Sequence, residues 1–414
     1  MSGYLTKIKT KIPYSDKEVD INVDGKTLIL TGGNGCGKTQ LLNYLHEKLH
    51  DRIIKKDNKS LAQLESLKKH FEMAIMGGSP TDKSYEHQVK QLQDTVLKIE
   101  EAKQPSITLS DLEEFVLKHN NFEALLLLYE AGRKSDILRS SAVPSLNSLK
   151  EKDKLSVTSP HKMQTASSFF EEFLVTSIAG QAFSESKKIN NDPLEAERID
   201  KWFKKLEGDL QHLFEDEELR LVFQSDSFSF EIHQPHKEPY TFQSLSSGFS
   251  SIMAVYADLI TKVSLRSIDP DDLTGIVLID EIDAHLHVSI QKKILAFLKN
   301  SFPKVQFIVT THSPFVVLSV DDAVIYDLSK LEQVDDLSMY SYESVLEGLF
   351  GVLPISSLLQ QNIETLAKLL ERYPIDIKTV QSLLDKLPED ESLLDSESLY
   401  FVNSAKLAIN KAKR

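Results

Sequence analysis

Thr27 to Gln40 reads TLILTGGNGCGKTQ, and within it Gly32, four residues and then Gly37-Lys38-Thr39 give the spacing G-x-x-x-x-G-K-T. That spacing is the pattern of a phosphate-binding loop. Its glycines let successive backbone amides turn toward one anion, and a helix starting at the loop's end adds the positive end of its dipole. Lys38 then reaches the terminal phosphates, and the Thr39 hydroxyl is placed to ligate magnesium. The residues expected around a bound nucleotide are Gly32, Asn34, Gly35, Cys36, Gly37, Lys38, Thr39 and Gln40.

Three other stretches carry matching chemistry. Gly275 to Glu281, GIVLIDE, is an apolar run that ends in two acids. A carboxylate at a strand's end beside a phosphate loop can hold the metal through a water, and the next can orient an attacking water, so Asp280 is assigned to the metal and Glu281 to general base. Val305 to Pro314, VQFIVTTHSP, again ends an apolar run in polar residues, and His312 there can donate to a γ-phosphate or position the water. Ser244 to Ser251, SLSSGFSS, places Ser246, Ser247 and Gly248 at the start of a helix expected over Ile252 to Leu259, a second place where an anion can sit.

These groups need elements to hold them. Leu28-Ile29-Leu30 suits a buried strand and Gln40 to Leu45 a helix, so the loop has the strand-loop-helix setting it requires. Upstream, Tyr4 to Ile12, Glu18 to Val23 and Lys26 to Thr31 read as strands, with Asp24-Gly25 as the turn of a hairpin between the last two. Ala124 to Tyr129 is a further buried strand, leading to Gly132-Arg133, and Asp111 to Lys118 a helix capped by Ser110. Phe169 to Ala182 and Ala196 to Phe214 are amphipathic helices; Leu219 to Phe223 and Phe228 to Ile232 form a hairpin.

Between about Arg52 and Lys103 the pattern changes. Tyr85, Val89, Leu92, Val96 and Ile99 form a heptad seam, and Leu61, Leu64, Leu67 and Phe71 a less regular one, divided by Gly77-Gly78-Ser79-Pro80. The reading is a projecting helical hairpin with limbs of roughly 30 Å; two helices lying flat on the core would show the same pattern. Arg139 to Lys162, rich in Ser, Pro and Lys and without periodicity, reads as a mobile loop. From Tyr342 onward short amphipathic helices follow, broken at Pro354, Pro374 and Pro388, whose apolar faces must bury against the rest of the chain or against a partner.

Composition narrows the class. With 41% hydrophobic and 27% charged residues the chain is of globular type, and no apolar run approaches the ~20 residues that cross a bilayer. The N-terminus MSGYLTKIKT lacks a signal-peptide core, so a cytoplasmic protein without a membrane partner is expected. The single cysteine, Cys36, excludes an internal disulfide and a multi-cysteine metal site. A net charge of −14 argues against nonspecific coating of nucleic acid.

Taken together, the motifs at Gly32 to Thr39, Leu245 to Gly248, Ile276 to Glu281 and His312 resemble, in order and kind, the Walker A, signature, Walker B and histidine switch of ABC-type ATPase heads. The resemblance implies an α/β fold, an ABC-type P-loop head with a mixed sheet flanked by helices, an inserted helical hairpin arm and a C-terminal helical region. It divides the chain into head (1–50), arm (51–104), head (105–340) and helical tail (341–414). It implies ATP and Mg2+ as ligands, metal contacts from Thr39 and Asp280, catalysis by Glu281 and His312, and Ser246, Ser247 and Gly248 acting in trans on a second subunit's nucleotide. That requires a head-to-tail homodimer or higher oligomer.

The inserted arm makes the chain similar to SMC-like heads, and DEIDAHLH with TTHSP is similar to the OLD-type and related bacterial defence ATPases. Among these it is most like the PtuA-type ATPases of Septu and retron-associated antiviral modules. The resemblance implies a slow ATPase regulating an effector, an HNH-type nuclease, with a retron reverse transcriptase and its nucleic acid as further partners. An SMC-like repair or DNA-clamp ATPase is the alternative. Phe249 stands where transporter heads carry Gln and Ser247 where they carry Gly; Gln164 is the candidate for the magnesium-sensing glutamine.

Overall fold

The computed structural model describes residues 3–55, 59–77, 83–103, 106–158, 165–334, 337, 340–351, 356–371, 374–388 and 394–412. Gln164 and residues 78–80 of the expected turn lie outside them. The chain divides into two compact units, Met1–Tyr340 and Ser341–Arg414.

The first unit opens with β1 (Leu5–Lys11), β2 (Glu18–Asn22) and β3 (Thr27–Thr31). Then come α1 (Lys38–Ile53), α2 (Leu61–Gly77), α3 (Lys83–Lys103), β4 (Ile107–Leu109), α4 (Leu112–Asn120) and β5 (Ala124–Tyr129). Next are α5 (Leu146–Thr158), α6 (Phe170–Glu185), α7 (Pro193–Phe214), the antiparallel pair β6 (Arg220–Gln224) and β7 (Ser229–His233), and α8 (Ser247–Arg266). The unit ends with β8 (Thr274–Ile279), α9 (Val288–Gln291), α10 (Ile294–Ser301), β9 (Val305–Thr310), α11 (Pro314–Val317), β10 (Ala323–Asp327) and β11 (Glu332–Val334).

The central sheet has the order β11-β10-β3-β9-β8-β5, parallel throughout except for the β10–β11 pair. Its inner strands are buried on both faces, which is why β3, β8 and β9 read as largely apolar runs without alternation, Gln306 of β9 being buried against the Leu5 backbone. On one face lies α1, whose Leu41, Leu42, Leu45, Leu49 and Ile53 recur at helical spacing and pack with Leu28, Leu30, Leu278 and Ile308. The expected α/β architecture, a mixed sheet flanked by helices, is therefore the observed one.

The expected β2–β3 hairpin is not formed. β2 pairs with β1 in a separate three-stranded sheet, β2-β1-β4, while β3 crosses into the central sheet between β10 and β9. The Asp24-Gly25 turn exists, with φ of 51° and 74°, but its amides donate to Thr6 and Leu5 of β1. The burial patterns explain the split: β2 alternates exposed and buried and suits a half-covered sheet, whereas β3 is buried at every position. Two further expectations fail. The cap of α4 is Asp111, whose carboxylate accepts the Glu114 amide, rather than Ser110. And the stretch read as a mobile loop contains α5, anchored through a buried side chain, Asp153, to Lys262 and Arg266 of α8.

α2 and α3 pack on each other as an insertion between α1 and β4. Leu64 and Ile99 are buried between them, and Glu101 near the end of α3 pairs with Lys48 and Arg52 of α1, fixing the base of the pair. The second unit contains α12 (Tyr342–Gly348), α13 (Ser357–Leu370), α14 (Ile377–Leu384) and α15 (Ser396–Ala412). Leu366, Val380, Leu383, Ala405 and Ile409 form its own small core. Among the described residues no helix is long and apolar enough to cross a membrane.

Candidate functional site

Three adjacent parallel strands end side by side. Leu30 of β3 is in register with Thr310 of β9, and Val309 with Ile279 of β8, so the segments that follow them emerge on one edge of the sheet. In open α/β sheets that carboxyl edge is where ligands bind. The loop 32–37 follows β3, Asp280 and Glu281 follow β8, and Thr311 and His312 follow β9.

Within the loop Gly32, Gly35 and Gly37 adopt φ of 130°, 73° and 106°, a region other residues enter only under strain. Gly37 is the N-cap of α1 and offers the first-turn amides no side chain, which leaves them to an anion. Lys38 is buried and its ammonium donates to the carbonyls of Gly32 (2.9 Å) and Gly33 (3.0 Å), 3.7 Å from Cys36 Sγ. Asn34, Gly35, Thr39 and Gln40 are exposed on the rim. The loop is braced from β10: the Gly33 amide donates to Ser329 Oγ at 2.8 Å, and Ser329's amide donates to the buried Asp327.

The Thr39 hydroxyl donates to Asp280 Oδ2 at 2.8 Å, joining the two motifs directly. Asp280 is only 5% exposed and also accepts from Thr310 Oγ at 2.6 Å. A hydroxyl and a carboxylate this close form an all-oxygen set that suits magnesium, so the residues present fit that ion. Glu281 has φ 44°, unusual for a residue with a side chain. Its amide donates to Thr310 Oγ at 2.7 Å, and the amide of Ile282 donates to the Thr310 carbonyl at 3.0 Å. His312 is half-buried, held by a neighbour whose hydroxyl bonds Asp283 Oδ1 at 2.5 Å and whose amide donates to Leu30, namely Thr311.

The residues Ser246 to Gly248 lie at the start of α8, with Ser246 and Ser247 exposed. Ser246 is the N-cap of α8 and makes no side-chain cap bond. Gly248 sits against the loop after β8: a methyl group there would stand 2.7 Å from the His285 carbonyl oxygen. Phe249 stacks on Phe214 at 4.1 Å with nearly parallel rings, which fixes the start of α8 to the end of α7.

Several contributors were not legible as functional. Arg133, in the loop after β5, donates to the carbonyls of Asp280, Glu281 and Ile282. Burial draws its guanidinium down to about 10, against the pull of Asp283, Asp280 and Glu281, and it stays charged at neutral pH. Thr310, Thr311, Asp283 and Asp327 likewise hold the site through bonds that depend on strand order. The only hint in the sequence was their position, within a few residues of an apolar strand's end.

The family model described as "AAA domain, putative AbiEii toxin, Type IV TA system" matches residues 28–319, the span from β3 to just past α11. The chain is 31% identical over 216 residues to the Septu protein PtuA of Bacillus mycoides (strain KBAB4), covering 48% of this chain and 30% of that protein. It is 43% identical over 114 residues to the Retron Ec83 probable ATPase of Escherichia coli, covering 26% and 21%. The alignments thus span about a third or less of these curated relatives. Among solved structures, an Smc head bound to the C-winged helix domain of ScpA aligns with 78% of this chain and 93% of its own, at TM-score 0.35 and 15% identity.

Proposed function

The chain belongs to this AAA-domain family, with Septu PtuA proteins and retron ATPases among its relatives, and from that premise we propose that it binds ATP with magnesium and hydrolyses it. The observation that carries the reading is the 2.8 Å bond between Thr39 and Asp280, which brings the phosphate loop and the acidic strand end to one point. Lys38 neutralises the terminal phosphates, and the amides at the start of α1 cradle them. Thr39 and Asp280 would hold magnesium, which would supply charge neutralisation at the phosphates. Glu281 accepts the proton of the attacking water, and His312 stabilises charge gathering on the transferred phosphoryl group.

Ser246 and Ser247 are exposed at the start of α8, and with Gly248 they complete the nucleotide site of a second copy, giving a head-to-tail pair. The paired state holds or releases an effector in antiviral defence, a nuclease of HNH type, in company with a retron reverse transcriptase and its nucleic acid where those are present. Turnover is slow, which suits a switch better than a motor.

The test is a comparison of MgATP binding and turnover in the full chain and two variants. Lys38→Ala is expected to lose binding. Glu281→Gln is expected to keep binding and lose at least about 100-fold in turnover. Equal turnover in wild type and Glu281→Gln contradicts the assignment of the base.

A further inference from the structure

The turn that carries the two acids is held in an unfavourable shape. Glu281, at φ 44°, lies in the left-handed region, which costs a residue with a side chain free energy unless its surroundings impose it. Its amide side is held by Thr310, through the Glu281 and Ile282 amides. Its carbonyl side is held by one residue from a different strand's loop, Arg133. Nη1 donates to the Asp280 carbonyl at 2.6 Å, and Nη2 donates to those of Glu281 (3.3 Å) and Ile282 (3.2 Å).

Arg133 is itself fixed, since Nη1 also donates to the Glu130 carbonyl at 3.2 Å. Its Nε is buried and, among the described residues, has no hydrogen-bond partner, so this placement leaves one donor unmet. A planar, five-donor guanidinium holds several carbonyls at once in a fixed fork, whereas a lysine ammonium gathers its three donors at one atom and sets no such geometry.

We propose that Arg133 is a positioning residue for the hydrolytic reaction: it clamps the Asp280–Ile282 turn from behind so that the Asp280 and Glu281 carboxylates are presented together toward the phosphate loop. Its hydrogen bonds go to backbone carbonyls. The inference rests on the ATPase reading and adds to it a residue that the reading does not use. Because the Asp280 carboxylate is also held by Thr39 and Thr310, loss of the clamp falls on the orientation of the base, so it acts on kcat and spares KM.

The experiment measures MgATP turnover over a range of ATP concentrations, MgATP binding by calorimetry, and thermal unfolding, in the full chain and in Arg133→Lys, Arg133→Gln and Arg133→Ala. The expected result is a fall in kcat of about 10- to 100-fold in Gln and Ala, with KM and binding within about threefold of wild type. Arg133→Lys recovers part of the loss, and low millimolar ethylguanidinium restores turnover to Arg133→Ala without affecting wild type. The proposal is overturned if wild type turns over ATP and a folded Arg133→Gln matches it within about twofold. It is also overturned if KM and unfolding temperature move together with kcat and neither Lys nor ethylguanidinium restores activity, the pattern of mere structural damage. A wild-type chain that neither binds nor hydrolyses MgATP overturns the ATPase reading and this inference with it; an active wild type beside an unaffected variant overturns the inference alone.

Discussion

Thr39 and Asp280 stand 241 positions apart in the chain, and the Thr39 hydroxyl donates to Asp280 Oδ2 at 2.8 Å. The contact exists because β3 and β8 flank β9 in one parallel sheet and end on the same edge. If the pair holds the metal, Asp280→Asn should weaken ATP binding in magnesium at least about tenfold and leave binding in EDTA near wild type. Calorimetric titration in the two buffers checks this; equal loss in both would point to damage of the loop instead.

Cys36 gives a direct probe of loop occupancy, because it is the only cysteine in the chain. Its Sγ is 3.7 Å from the Lys38 ammonium. Bound MgATP is expected to slow maleimide labelling by about tenfold or more at saturating nucleotide, with labelled protein no longer binding ATP. Mass spectrometry of the labelled chain reads the outcome, and a rate unchanged by nucleotide would place ATP elsewhere.

Much of this site was legible in the sequence because its parts are local. The phosphate loop, the acidic strand end and the TTHSP segment each declare themselves within ten residues or so, and burial of β3, β8 and β9 follows from largely apolar runs. What failed was set by strand order. The Asp24-Gly25 turn has hairpin chemistry, yet its two strands enter different sheets, since only β3 finds parallel neighbours on both sides. α5 was hidden because its polar sequence looks solvated until Asp153 meets two cations from α8. Arg133 was invisible for the same reason, as the four partners of its guanidinium are backbone carbonyls with no residue signature.

The buried group formed by Asp153, Lys262 and Arg266 makes a stability prediction. All three side chains are nearly inaccessible, and Lys262 also pairs with Asp258 at 3.3 Å. Asp153→Ala leaves two cations short of a partner and should cost about 3–5 kcal/mol in urea unfolding. A cost below about 1 kcal/mol would show that Asp258 alone suffices.

The same aspartate predicts an acid dependence. Burial alone would raise its carboxyl, but Lys262 and Arg266 outweigh that and hold it below the ordinary 3.8. In the window between the two values the unfolded chain binds the proton and the folded one does not. Its contribution is therefore complete above the ordinary value and is lost as pH falls through the folded one. Urea midpoints from about pH 5 to about pH 2 should fall more steeply for wild type than for Asp153→Asn.

Gly248→Ala tests the packing of the turn at the start of α8 against the loop after β8. The new methyl would stand 2.7 Å from the backbone oxygen of His285, which cannot swing aside as a side chain can. A loss of about 1–3 kcal/mol is expected in chemical unfolding, with a fall in turnover. Wild-type stability and turnover would show that the start of α8 has room to shift.

The claim that this chain carries half of two sites is tested most directly by sedimentation velocity of Glu281→Gln at saturating MgATP. The account predicts a dimer that returns to monomer in EDTA or when Lys38→Ala is added to the same chain. A monomer that calorimetry shows to be fully loaded with MgATP would contradict it.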